Sequence, residues 1–158
     1  MQLTRFSDYA LRTLLYLGAH PGEVVSAPTI SAAYGISNHH LVKAAKWLTQ
    51  RGYVRTHRGK TGGLSLGREP GEISIGELIR ETEPNLDLLE CFDPATATCP
   101  ITPVCRLRVY LEYARDAFFR ELEDVTLADL LWNAPELVRI LAPRAAARRE
   151  DDGGAHHR

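Results

Sequence analysis

The sequence has no apolar run approaching the roughly 18 residues that crossing a bilayer requires. A membrane-spanning role and a membrane partner are therefore not expected. Met1 to Ser7 lacks a charged stretch followed by an apolar one, so no secretory leader is expected and the protein is expected to be cytoplasmic. Histidine is absent between Arg58 and Ala155. There is no C-x-x-C pair, paired general base or substrate-pocket motif, which argues against a redox enzyme or thiol switch, and no enzyme is expected. Internal repeats are also missing. Neither sign of charge dominates, the net charge being -1.

The distribution of charge is more telling than its sum. Up to Arg68 the bases are Arg5, Arg12, Lys43, Lys46, Arg51, Arg55, Arg58, Lys60 and Arg68, and the acids are Asp8 and Glu23. A basic front half on a near-neutral chain suits a head that binds a polyanion, although a solvated face would look the same on charge alone. The 44% hydrophobic content suits a globular protein of one domain, or one domain plus an extension.

Helical periodicity places Phe6, Ala10, Leu14 and Leu17 on one face of a helix from Arg5 to Leu17, ended by Pro21-Gly22. Ser26 caps a second, shorter helix from about Ala27 to Tyr34, and Gly35 sits at the turn. Ser37 caps a third, about Asn38 to Gln50, closed by Gly52. Helix, short Gly-containing turn and helix is the helix-turn-helix pattern.

The third helix splits into two faces. Leu41, Ala44, Ala45 and Leu48 point to a core, while His39, Lys43, Lys46 and Gln50 form one acid-free polar stripe. A reader of the major groove needs such donors and cations. Alternating residues at Tyr53–Thr56 and Leu64–Leu66 flank the Gly-rich loop His57–Gly63, which reads as a β-hairpin with Arg58 and Lys60 at its tip. A basic hairpin directly after a helix-turn-helix is a wing. Asn38, His39, His40, Lys43 and Lys46, with Arg58 and Lys60, are the candidate DNA contacts.

Ser74 and Glu77 fit a capping box opening a short helix to about Thr82. The stretch from Pro84 to Thr102 has no helical period. Thr102-Pro103 then reads as the start of a long helix to about Leu122, with Leu107, Leu111, Ala114, Phe118 and Leu122 as its apolar stripe. Such a stripe either packs on its own head or pairs with a second copy. Thr126 and Asp129 begin a last short helix with Leu127, Leu130, Leu131 and Trp132. The expected fold is mainly α with a small β-hairpin. Its parts are a winged helix-turn-helix head (1–83), a loop (84–102), a dimerisation helix with C-terminal helices (103–142) and a disordered tail (143–158).

The cysteines are Cys91, Cys99 and Cys105. An odd, clustered set does not suit a disulfide framework. Thiolates select zinc, Cu(I) or iron–sulfur clusters. A structural zinc site is usually closed by a fourth Cys or a nearby His, and none is at hand. Cys105, expected at the third position of the long helix, would sit where a helix favours negative charge. Spacing alone leaves three possibilities open: an iron–sulfur cluster, a zinc site, or unligated thiols.

Several segments resemble one family. They are Met1-Gln2-Leu3-Thr4-Arg5-Phe6-Ser7-Asp8-Tyr9-Ala10-Leu11-Arg12, Tyr34-Gly35-Ile36-Ser37, Gly52-Tyr53-Val54, Arg58-Gly59-Lys60-Thr61-Gly62-Gly63 and Leu127-Ala128-Asp129-Leu130-Leu131. The most specific is Cys99-Pro100-Ile101-Thr102-Pro103-Val104-Cys105-Arg106-Leu107. These resemble NsrR-type nitric-oxide-sensing repressors, winged-helix iron–sulfur regulators whose relatives include IscR and RirA. The resemblance covers about Met1 to Leu141. It implies a homodimer with one [4Fe-4S] cluster per subunit, although [2Fe-2S] is open. It implies three cysteine ligands joined by an aspartate of the partner's first helix, here Asp8. Read from the residues alone, Asp8 is an i, i+4 partner of Arg12. Arg108 stands where IscR has a ligating histidine, so IscR-type ligation is not expected. The function implied is a repressor that binds an inverted-repeat operator in double-stranded DNA and releases it when nitric oxide attacks the cluster. An iron-responsive regulator of the same family is the alternative, and a thiol-redox or structural zinc protein is the alternative of another class.

Overall fold

The computed structural model describes residues 2–142; the expected tail, 143–158, lies outside the described residues. The element order begins α1 (Arg5–Ala19), α2 (Ala27–Tyr34), α3 (Asn38–Gln50), β1 (Val54–His57) and β2 (Gly63–Leu66). It continues with α4 (Ile75–Thr82), α5 (Arg106–Glu123), α6 (Leu127–Leu130) and α7 (Ala134–Leu141). Short 3-10 turns occupy Pro70–Glu72, Glu90–Phe92 and Thr102–Val104. Among the described residues, no helix is long and apolar enough to cross a membrane.

The head forms where its periodicity places it. Thr4 caps α1 by accepting from the Ser7 amide, and Ser26 caps α2 by accepting from the Thr29 amide. Gly35 ends α2 with φ 64°, a left-handed conformation that is costly for a residue with a Cβ. The α2–α3 turn therefore depends on it. Ala10, Leu14, Ile30, Leu41, Ala44 and Leu48 are fully buried where α1, α2 and α3 meet. Truncating one of these leucines to Ala is expected to cost about 2–5 kcal/mol. The hairpin is antiparallel, with Val54 opposite Leu66 and His57 opposite Gly63. It is seated by Val25, whose amide and carbonyl bond to Leu64 at 2.9 and 2.8 Å.

Four details differ from the sequence expectation. The long helix begins at Arg106, because Thr102 and Pro103 start a 3-10 turn rather than an α-helix, so Cys105 is the N-cap residue and not the third helical position. Ser37 occupies its N-cap position but makes no side-chain cap bond. At Ser74–Glu77 only half of the capping box exists: Ser74 accepts from the Glu77 amide, while its own hydroxyl donates to the Glu123 carbonyl at 2.9 Å. The reciprocal box is at Thr126–Asp129. Finally, the last short helix is followed by another, α7, opened by Asn133 with Pro135 in its first turn.

α5 is anchored at one end only. Its C-terminal part is fastened to α4: Phe119 is 2% exposed, and Arg80 stacks 4.2 Å from its ring centroid while pairing with Glu123 at 2.8 Å. The helices approach so closely at Gly76 that a Cβ there would lie 2.6 Å from the Glu123 amide nitrogen. The N-terminal part lacks such cover. Leu107 is 62% exposed, Tyr110 59% and Tyr113 64%, and Val104 just before the helix is 79% exposed.

Candidate DNA interface and cysteine loop

The face that would read DNA lies on α3. Asn38, His39, His40, Lys43 and Lys46 are all exposed, while Leu41, Ala44, Ala45 and Leu48 hold the opposite face in the core. No acid falls in the first turn of α3. The far end of the helix is braced by aromatic contacts. Trp47 stacks on Tyr53 with centroids 6.2 Å apart and meets Phe6 of α1 edge-on at 5.8 Å. Arg51 lies 4.9 Å from the Trp47 centroid and pairs with Glu81 of α4 at 3.1 Å. Burial, with nearby Glu81 second, pushes the Tyr53 phenol above its ordinary range, so it is neutral and donates to Glu81 Oε2 at 3.4 Å. These contacts hold the C-terminal end of α3 to α1, Tyr53 and α4.

Arg58 and Lys60 stand exposed at the hairpin tip, and among the described residues neither is in an ion pair. Such unpaired cations are free to neutralise phosphates.

The cysteines lie on the segment between α4 and α5. All three are free thiols; Cys91 is buried, and Cys99 and Cys105 are half-buried. Cys91 sits in the 3-10 turn Glu90–Phe92, which α5 holds down: Arg115 lies 5.2 Å from the Phe92 centroid and 3.6 Å from Asp87. Thr102 donates to the Cys99 carbonyl at 2.7 Å, shaping the turn that ends at Cys105. Among the described residues, no three of His, Cys, Asp and Glu are gathered closely enough to hold a metal ion. The chain by itself thus does not draw the three thiols to one point. As a donor set, three soft thiols without a neighbouring histidine fit iron–sulfur chemistry better than a closed zinc site. Within the chain Asp8 accepts from Arg12 Nε at 2.8 Å, the i, i+4 pair that the residues alone suggest, and its carboxylate remains partly exposed.

Residues 3–133 match the Rrf2 family, described as an iron-dependent transcriptional regulator. The chain belongs to the Rrf2 family. Within it, the chain is NsrR-type. It is 48% identical over 145 residues to the HTH-type transcriptional regulator NsrR of Geobacillus kaustophilus, covering 91% of this chain and 99% of that one. It is 42% identical over 142 residues to NsrR of Bacillus subtilis, covering 89% and 97%. Two solved Rrf2-type structures share the fold. IscR of T. potens superposes with a TM-score of 0.68 at 26% identity, covering 86% of this chain and 90% of that one. CymR, the global cysteine regulator of B. subtilis, gives 0.66 at 28% identity, covering 82% and 95%. An Rrf2 chain is a transcriptional regulator, and its winged helix-turn-helix accounts for the α3 stripe and the hairpin.

Two residues with a place in this arrangement escaped the sequence reading. Glu83 bonds to the first turn of α1 across 79 residues, and no local pattern reports such a partner. Arg5 was visible only as one basic residue among nine. Its position on the first residue of a helix, the wrong end for a cation, was the signal available.

Proposed function

We infer that this Rrf2 protein is a homodimeric transcriptional repressor whose three cysteines hold an iron–sulfur cluster, and that nitric oxide attacking the cluster releases operator DNA. One observation carries the reading. The free thiols sit on the segment that leads directly into α5, whose N-terminal half presents an uncovered apolar face. A second copy laid on Leu107, Tyr110 and Tyr113 would cover that face and put two α3 stripes on one side of a duplex. Two recognition helices about 34–36 Å apart read half-sites one helical turn apart, so the operator would be an inverted repeat.

Cys91, Cys99 and Cys105 would hold the cluster, which is [4Fe-4S] on the resemblance to NsrR, with Asp8 of the second copy as the fourth ligand. When bound, it supplies iron that reacts with nitric oxide. An oxygen donor suits such iron less well than a thiolate, so Asp8 would be the ligand displaced first. Losing it would untie α1 of one chain from the cysteine loop of the other, and the spacing of the two α3 helices would change.

The family's description as iron-dependent favours a second reading, in which loss of the cluster reports iron scarcity. Anaerobic purification with iron and sulfide quantified per chain tests both. About four of each per chain fits [4Fe-4S], and about two of each fits [2Fe-2S]. Stoichiometric zinc, or a colourless metal-free protein after reconstitution, would return the cysteines to a structural or thiol role.

A further inference from the structure

The first turns of α1 and α3 meet at a cavity of about 180 Å³ lined by Arg5, Phe6, Tyr9, His40 and Lys43. Phe6 and Tyr9 make an aromatic floor. Arg5, His40 and Lys43, all exposed, make its rim. His40 leans on Tyr9, with ring centroids 6.3 Å apart and a 44° interplanar angle. Among the described residues neither Arg5 nor Lys43 is paired with an acid.

The placement of the rim residues favours an anion here. Arg5 is the first residue of α1, where the positive end of the helix dipole disfavours a cation. Among the described residues no acid lies within ion-pair distance of its guanidinium, which leaves the charge available to an incoming anion. α3 has no acid in its first turn, where His39 and His40 sit, and the one acid in the first turn of α1, Asp8, is paired with Arg12. Two cations without an acidic partner among the described residues and an imidazole therefore rim one concavity beside the first turn of the recognition helix.

The geometry points to this cavity as a seat for a backbone phosphate of duplex DNA, with Arg5 as the clamping residue. The assignment rests on the DNA-binding reading and adds a contact outside the helix-turn-helix and wing. Lys43 belongs both to the α3 stripe and to this rim, so a helix laid in the major groove would bring the flanking strand to the seat. Arg5 also lies three residues before Asp8. The first turns of α1 would then carry the DNA clamp on one residue and the cluster contact on another, within a single rigid element. The expected partner is the phosphodiester itself, so the contact carries no base preference.

The test uses the full-length protein and two probes: sheared genomic duplex, and a duplex selected by the protein from a random library. Affinity is followed against salt for wild type, Arg5→Ala, Arg5→Lys and Arg139→Ala, the last removing an α7 arginine paired with Glu136. Arg5→Ala is expected to weaken binding to both probes by the same factor and to reduce the slope of log K against log salt by about one per chain. Arg5→Lys should restore the slope, and Arg139→Ala should leave it unchanged. An unchanged slope in Arg5→Ala, with wild type binding normally, overturns the seat and leaves the regulator reading standing. No binding by wild type to either probe overturns both. Inorganic phosphate at constant ionic strength should displace DNA more readily from wild type than from Arg5→Ala, and phosphate that binds through Arg5 without displacing DNA would show that the cavity takes free phosphate and not the DNA backbone.

Discussion

Glu83 closes the first turn of α1 from the far side of the head: its Oε1 accepts the Thr4 amide at 2.8 Å, the Thr4 hydroxyl at 3.2 Å and the Ser7 hydroxyl. It is also the last residue before the segment that carries the cysteines. Two residues earlier, Glu81 reaches Arg51 at the end of α3, and Arg80 reaches Glu123 on α5. The end of α4 thus sends neighbouring side chains to the first helix, the recognition helix and the projecting helix.

Removing that acceptor strands a half-buried cluster of hydroxyls and an amide. Glu83→Ala is expected to lower unfolding stability by about 1–3 kcal/mol, read from urea midpoints at unchanged slope. Glu83→Gln, which keeps one carbonyl oxygen, should lose less. Equal stability of Glu83→Ala and wild type would remove the latch from the account.

The close approach at Gly76 makes a second prediction. Ala there would force α4 and α5 apart by meeting the Glu123 backbone, which a flexible side chain cannot relieve. Gly76→Ala should cost on the order of 1–3 kcal/mol by overpacking, read from a thermal melt. The same substitution at Gly71, which has open space around its Cβ position, should change stability little.

The wing should act on all DNA alike. Replacing both Arg58 and Lys60 with Ala removes two cations per chain and should flatten the salt dependence by about two per chain on operator and unrelated duplex. Lys43→Ala, on the face presented to base edges, should instead weaken the operator more than the unrelated duplex. An unchanged salt slope in the double variant would take the wing out of the interface.

Much of the head was legible because its signals are local. The capping residue Ser26, glycine at position 35 and the split faces of α3 each lie within one or two turns of what they determine. The cysteine segment was legible as chemistry and not as geometry, since soft donors are recognised by type whereas their meeting point depends on tertiary contacts. The start of α5 was misplaced because Thr102-Pro103 suits a 3-10 turn as well as an α-helix. α7 was missed because Asn133 and Pro135 follow α6 so closely that they read as its end. The hub at Glu81 and Glu83 could not be read at all, because its partners lie far away along the chain.

The ligands have their own test. Ala at Cys91, Cys99 or Cys105 should abolish the visible absorbance of anaerobically isolated protein. Asp8→Ala should leave a cluster that forms on three thiolates and decays faster. Asp8→Ala with the wild-type lifetime and nitric oxide response would remove the cross-subunit ligand.

The most direct test of the account is one operator duplex titrated anaerobically with cluster-loaded, nitric-oxide-treated and metal-free protein, with molecular mass measured in each state. The account predicts a dimer in the loaded state and an affinity at least tenfold lower after nitric oxide, a difference of about 1.4 kcal/mol. Equal affinity in all three states would contradict cluster sensing even if the cluster is present, and a monomer in every state would contradict its coupling to DNA through α5.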